Sequence, residues 1–222
     1  QFLTPDDIRD LENETDTYYR EVYTLGNWGV LGNVIFTNWR VEDLSEMRAQ
    51  FTNRRNGLDF GFSSDPAAGL ATHYDKARKT IYIFAELYER GLTNNVLADD
   101  MKRMFGSDYV ICDSAEPKSI AELQGYGVRA QAATKGRDSV LYGIQFIQQH
   151  TVVIDQKCIN TINEFRQYKW KEDKAGNAIR QPVDRNNHAI DALRYAYEDE
   201  NMSSWDDVKD LGTVEDYENP WR

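Results

Sequence analysis

Three aspartates stand where an aspartate is costly. Asp59 lies in an apolar strand run between Leu58 and Phe60. Asp113 closes the run Tyr109-Val110-Ile111-Cys112. Asp191 sits in a helical stretch between Ile190 and Ala192. A carboxylate held among apolar neighbours must be paired, hydrogen-bonded or bound to a cation. An all-oxygen donor set is the one Mg2+ and Mn2+ prefer. Two such ions about 3.5–4 Å apart activate water and stabilise the leaving oxygen in phosphodiester cleavage. His188, three residues before Asp191, shares its helix face. Asp184 lies seven residues before Asp191, and it joins that face as a second-tier acid if the helix begins early. Gly61, two residues after Asp59, leaves the backbone open to a phosphate or a metal.

Each of these residues also has an ordinary use. A lone aspartate at a strand end is commonly a turn or cap residue, and Ser114 and Pro117 fit Asp113 to capping a helix. His188 alone reads as a packed or surface histidine. Asp59-Phe60-Gly61 is also a kinase tripeptide, but no kinase context surrounds it. His73 and His150 receive no role. The three acids weigh more together, because of the elements that carry them.

Those elements follow from turn and cap chemistry. Leu58 to Phe62, Ala67 to Tyr74 and Thr80 to Leu87 read as three strands. Ser63-Ser64-Asp65-Pro66 makes a turn, and Asp75 to Lys79 a hairpin loop. Thr93 can cap a helix through Met104, ended by Gly106. A strand over 109–112, a helix from Pro117 to Gly125 and a strand over 127–131 come next. Asp138 caps a helix through Gln149, a strand covers 151–154, and a helix covers 158–166. Residues 168–171 and 178–181 flank Lys174-Ala175-Gly176-Asn177 as a β-hairpin, and a final helix spans 187–197. The fold class is α/β: a mixed sheet, with a three-strand antiparallel meander followed by parallel strands, and helices on both faces. This element order resembles the ribonuclease H-like fold. The first and fourth strands are neighbours there, so Asp59 and Asp113 are expected to face each other, with Asp191 opposite.

Composition bounds the rest. The 222 residues carry a net charge of −11, which on its face argues against a nucleic-acid partner. The distribution removes that objection. Residues 1–24 hold seven acids and two bases, residues 198–222 hold nine and two, and residues 25–197 hold 21 and 22. The acidity lies in the ends, so net charge does not decide the partner. No apolar run reaches the roughly 20 residues of a membrane span, so no membrane is expected. Cys112, in an apolar run, reads as a buried thiol. Thr4-Pro5-Asp6-Asp7 starts a short helix, and Val34 to Phe36 forms a short strand within a connector over residues 1–50.

Three stretches carry a family resemblance. Residues 58–68, LDFGFSSDPAA, resemble the first nuclease motif of phage large terminase subunits. Residues 111–124, ICDSAEPKSIAELQ, resemble the second motif, and residues 186–199, NNHAIDALRYAYED, the third. Residues 19–29, YREVYTLGNWG, resemble the segment that leads from the ATPase domain. The resemblance implies a two-metal DNA endonuclease with Asp59, Asp113 and Asp191 as metal ligands, His188 as an accessory catalytic residue, and Mg2+ or Mn2+ as cofactor. It implies cutting of concatemeric double-stranded viral DNA during packaging, in the host cytoplasm at the procapsid portal. The partners implied are the N-terminal ATPase domain of the same full-length protein, the portal protein and the small terminase subunit. No G-x-x-x-x-G-K-[ST] pattern occurs, so this chain is expected to hold no nucleotide site and not to be the whole motor. Residues 1–50 then form the connector from the ATPase domain, 51–199 the nuclease domain, and 200–222 an acidic tail.

Basic residues near the motifs are candidate phosphate contacts: Lys118, Lys135, Arg137, Lys169, Lys171 and Arg185, with Arg166 and Arg180 nearby. Such contacts give affinity without reading sequence, and any one of them is equally a solvated surface charge. Two other functions fit the same chain. One is another ribonuclease H-like enzyme, such as a junction resolvase or transposase. The other is a non-enzymatic module that docks a portal or motor.

Overall fold

The computed structural model describes residues 33–134, 136 and 138–200. The helix read at Thr4 and the acidic tail beyond residue 200 lie outside them, as do Lys135 and Arg137.

Among the described residues seven strands form one mixed sheet. They are β1 (Trp39–Glu42), β2 (Arg54–Asp59), β3 (Ala67–Asp75), β4 (Thr80–Glu89), β5 (Val110–Cys112), β6 (Ala130–Ala132) and β7 (Thr151–Asp155). The order across the sheet is β1-β7-β4-β3-β2-β5-β6. The meander β2-β3-β4 is antiparallel. Every other pairing is parallel: β5 on β2, β6 on β5, β7 on β4 and β1 on β7. The central strand β3 opens Ala67-Ala68-Gly69-Leu70-Ala71, a run of mostly small residues buried throughout. A strand covered on both faces reads as continuous rather than alternating.

Among the described residues five helices cover the sheet: α1 (Asn94–Phe105), α2 (Pro117–Gly125), α3 (Ser139–Gln148), α4 (Ile159–Gln167) and α5 (His188–Ala196). Leu97, Met101 and Phe105 of α1 and Ile120 and Leu123 of α2 bury a stripe against Leu58, Ala71, Phe84 and Val153. This apolar layer is the core below one face of the sheet. On the other face α5 packs on β2, β3 and β5 and touches α3 and α4. Side chains alternate along a strand, so Leu58 enters the core while Gly57 and Asp59 turn toward α5. That split decides where the chemistry can lie.

Helix ends follow their sequence signals only in part. Gly106 ends α1 at φ 62°, a left-handed conformation glycine adopts freely. Pro117 opens α2. Thr93 and Asp138 precede helices but do not cap them with their side chains. The Thr93 hydroxyl meets Asn95 instead, and Asp138 itself is left-handed at φ 63°.

Two expectations are corrected. Residues 36–50 are not a connector. β1 is the edge strand of the main sheet, Phe36 and Leu44 are fully buried, and the larger compact unit takes in residues from Phe36. The boundary expected at residue 51 therefore falls earlier. Val34 makes only an isolated bridge to Lys169, and the edge strand lies at 39–42 instead of 34–36. The hairpin β8 (Trp170–Glu172) and β9 (Ala178–Pro182) is paired as expected. Its turn is tied by Asp173 Oδ1, which accepts from the amides of Ala175 and Asn177, with Gly176 at φ 84°. Among the described residues this hairpin and residues 33–35 form the smaller compact unit.

Candidate functional site

Asp59 and Asp113 are brought together by strand pairing. Leu58 of β2 lies in register with Cys112 of β5, and the next residue of each parallel strand is an aspartate. The Asp113 amide donates to the Leu58 carbonyl at 3.0 Å. Both acids therefore leave the same carboxyl edge of the sheet, where open α/β sheets place their sites. Asp59 is the last residue of its strand rather than an interior one. Asp113 also serves its ordinary use: its Oδ1 accepts from the Ala115 amide at 3.0 Å, an Asx turn into the loop before α2.

The third acid arrives on α5, and Gly57 sets how closely that helix approaches. A Cβ at Gly57 would lie 1.8 Å from the Ala192 carbonyl oxygen, so only glycine lets the helix backbone rest on the strand. One turn earlier His188 reaches the end of β2, where its Nδ1 lies 3.0 Å from Asp59 Oδ2. Its Nε2 faces Asp65 Oδ1 at 3.7 Å. Asp191 accepts from Arg194 Nη2 at 2.8 Å and Nε at 3.1 Å on Oδ1, and from Asn187 Nδ2 at 3.0 Å on Oδ2.

Burial pushes the Asp59 carboxyl above the usual range. The hydrogen bond from His188 opposes the shift, and the charges of Asp191 and Asp113 add to it. Burial also pushes Asp191 up, against the pull of Arg194. The hydrogen bond to Asp59 raises His188, so the imidazolium is favoured here. The Tyr195 hydroxyl is pushed up first by burial and then by the charges of Asp191, Asp113 and Asp59.

Among the described residues no three His, Cys, Asp or Glu side chains close on a single point. The carboxylates hold protein partners instead: His188 on Asp59, Arg194 and Asn187 on Asp191, and the Ala115 amide on Asp113. The donor set still fits a hard divalent cation. It offers carboxylate oxygens and one imidazole, and charge repulsion between desolvated carboxylates favours a cation among them.

Beside His188 lies a cleft of about 360 Å3, lined among others by Asp65, Tyr88, Arg90, Asp184 and Arg185. α5 starts at His188, so Asp184 stands in the preceding loop and not on the helix face. Gly61 has an internal reason to be glycine. A Cβ there would lie 2.3 Å from the Pro66 carbonyl oxygen, and the tight turn it permits carries Asp65 toward His188. Lys118 is exposed on α2. Lys169 and Lys171 lie in the smaller unit.

Several site residues escape the sequence reading. Arg194 is 7% exposed and is the counter-ion of Asp191. Gly143 of α3 makes room for it: a Cβ there would lie 2.9 Å from the Arg194 Cγ and Cδ. Glu164 of α4 is 3% exposed. Its Oε2 accepts from the Ile190 amide at 3.1 Å and its Oε1 from the Tyr88 hydroxyl at 2.8 Å.

Residues 59–199 match the family described as terminase RNAseH like domain. The terminase large subunit of Bacillus phage SPP1 is 35% identical over 201 residues, which are 87% of this chain and 47% of that protein. The PBSX phage terminase large subunit of Bacillus subtilis is 29% identical over 147 residues, 65% of this chain and 34% of that one. The chain thus spans half or less of the length of these curated relatives. The crystal structure of the large terminase nuclease domain from bacteriophage SPP1 with bound Mn matches at a TM-score of 0.70 and 37% identity, covering 74% of this chain and 98% of that one. The large terminase of the thermophilic bacteriophage D6E shares the fold at 20% identity and a TM-score of 0.59.

Proposed function

This chain belongs to the terminase RNase H-like domain family, and on that premise we propose that it is a metal-dependent endonuclease that cuts concatemeric double-stranded viral DNA during genome packaging. The observation that carries the reading is the side-by-side exit of Asp59 and Asp113 from paired strands, with His188 of α5, the helix that also carries Asp191, at hydrogen-bonding distance from Asp59. The nuclease domain of the SPP1 relative was crystallised with Mn, which supports the use of a divalent cation.

Asp59, Asp113 and Asp191 would hold the metal, two ions being the expectation from their number and charge. Divalent ions bound there supply activation of water and stabilisation of the leaving oxygen. The chain's own residues do the rest. Arg194 holds Asp191 in a single orientation through two nitrogen contacts to Oδ1. His188 sits at hydrogen-bonding distance from Asp59 and at the mouth of the cleft, where an imidazole can exchange a proton with water or substrate. Arg90 and Arg185 line the same cleft, where their charge favours a phosphate backbone without reading bases. Lys118 adds an exposed cation on α2.

The proposed partners are duplex DNA, an ATPase domain in the same full-length protein, the portal protein and the small terminase subunit, with action in the host cytoplasm. No helix among the described residues is long and apolar enough to cross a membrane. Incubation with Mn2+ and three substrates tests the reading: linear duplex, a four-way junction and an RNA–DNA hybrid. Cleavage of plain duplex is expected. Strict dependence on the branch or the hybrid would favour a resolvase or ribonuclease, and no cleavage of any substrate would favour a docking module.

A further inference from the structure

Glu164 is a buried carboxylate that the cleavage chemistry does not use. It lies on α4, 3% exposed, and burying a carboxylate is costly without strong partners. Its partners come from two other elements. The Tyr88 hydroxyl of β4 donates to Oε1 at 2.8 Å, and the Ile190 amide in the first turn of α5 donates to Oε2 at 3.1 Å. A carboxylate at a helix N-terminus satisfies an amide that lacks an intrahelical partner and complements the helix dipole. Ile190 stands directly before Asp191 and two residues after His188. The Tyr88 ring lies edge-on to the His188 ring at 6.4 Å.

α4 is itself fixed to the same strand. Glu86, two residues before Tyr88 and so on the same face of β4, accepts from the Asn160 amide at 3.0 Å and the Thr161 amide at 2.9 Å. It also accepts from the side chains of both residues. One strand thus holds two helices through carboxylates: α4 directly by Glu86, and α5 through Tyr88 and Glu164. The contact of Gly57 with Ala192 sets how near α5 lies to the sheet. The Glu164 bonds set where its first turn stands along the sheet.

We infer that Glu164 is a positioning residue of the nuclease site: through Tyr88 and the Ile190 amide it registers the first turn of α5 on β4, so that His188 and Asp191 face Asp59 and Asp113. The inference rests on the nuclease reading of that site. It separates Glu164 from a general stabiliser, because what it fixes is the placement of two side chains.

The test compares Glu164→Ala, Glu164→Gln and Tyr88→Phe with the wild type. It reads kcat and KM for duplex cleavage, and the Mn2+ concentration that half-completes the rise in melting temperature. Glu164→Ala is expected to lower kcat about 10–100-fold and to raise the Mn2+ midpoint by a similar order, the usual effect of removing a residue that orients ligands. KM for DNA should stay within about twofold, because uniform binding is untouched. Glu164→Gln keeps an acceptor for the Ile190 amide and should recover most of the loss. Tyr88→Phe should fall between them. Wild-type kcat and Mn2+ midpoint in Glu164→Ala would overturn the inference, as would losses that only follow the folded fraction. If Glu164→Ala does not fold, an unchanged kcat and Mn2+ midpoint in Tyr88→Phe overturns it. If the wild type cuts no DNA, the nuclease reading fails separately, and the Mn2+ midpoints alone decide the role of Glu164.

Discussion

His188 and Asp59 stand 129 residues apart in the chain and meet with Nδ1 3.0 Å from Oδ2. The contact joins the end of the first meander strand to the start of the last helix, and so closes the site. It also shows how the carboxylates are held without metal. Asp59 is stabilised by an imidazole whose pKa rises in return, and Asp191 by a buried guanidinium.

Neutralising Asp59 and Asp191 should have opposite effects on the metal-free protein. Burial and the neighbouring acids disfavour charge on Asp59, so Asp59→Asn should raise the melting temperature. Burial likewise opposes charge on Asp191, but its partner Arg194 gains from the pair. A guanidinium cannot shed its proton, so the cost of stranding Arg194 governs. Asp191→Asn should destabilise by about 1.5–3 kcal/mol, the loss of hydrogen bonds to a charged group. Thermal melts with chelator present check this, and equal shifts for the two variants would contradict it.

Much of this arrangement was legible in the sequence. The meander, the parallel strands, the hairpin and α5 lie within a few residues of where turn and cap residues put them. The pairing of Asp59 with Asp113 followed from the likeness of the element order to the ribonuclease H-like fold, where the first and fourth strands are neighbours. What was not legible depended on packing. Glu164 falls on the stripe Thr161, Glu164, Phe165 and Tyr168, every member of which is buried. An acid at i+3 of such a stripe signals an internal partner, but nothing local names Ile190 or Tyr88. Gly57 falls just before the strand read at Leu58 to Phe62, and its close approach to Ala192 needs the helix in place. β1 was missed because Trp-Arg-Val-Glu is a short run with two charges, and only its pairing with β7 makes it a strand.

Gly57→Ala should be far worse than an ordinary exchange of glycine for alanine in a strand. The new Cβ would meet backbone at 1.8 Å, and backbone cannot rotate aside. α5 must move off β2, at a cost of about 3 kcal/mol or more. Denaturant unfolding and duplex cleavage should fall together. Wild-type stability would show that α5 does not rest on this strand.

Glu164 gives the metal-free protein a specific pH dependence. Burial pushes its carboxyl up to about 7 from an ordinary value of 4.5. A folded pKa above the unfolded one adds stability that is complete below about 4.5 and is lost as pH rises through about 7. Glu164→Gln lacks this titration. Stability of the variant relative to wild type should therefore improve by about 2–3 kcal/mol between pH 4.5 and 7. Urea midpoints for both proteins across that range measure it, and a constant gap would contradict it.

Arg185 lines the cleft beside His188 and is exposed. If it contacts a phosphate, Arg185→Ala should weaken duplex binding for every sequence alike. It should also reduce the slope of log affinity against log salt by about 1. Binding isotherms at several salt concentrations give the slope, and an unchanged slope removes Arg185 from the interface.

The proposed function requires Asp59, Asp113 and Asp191 together to hold the cation that cuts DNA. Nicking of supercoiled plasmid tests it most directly, with wild type and the three single Asp→Asn variants run in Mn2+, in Mg2+ and in excess chelator. The wild type should cut strongly in Mn2+, less in Mg2+ with its stricter octahedral demand, and not at all in chelator. Each variant should lose cutting by about 100-fold or more while its circular dichroism matches the wild type. Undiminished cutting in chelator, or wild-type cutting by any one of the three variants, would contradict the assignment.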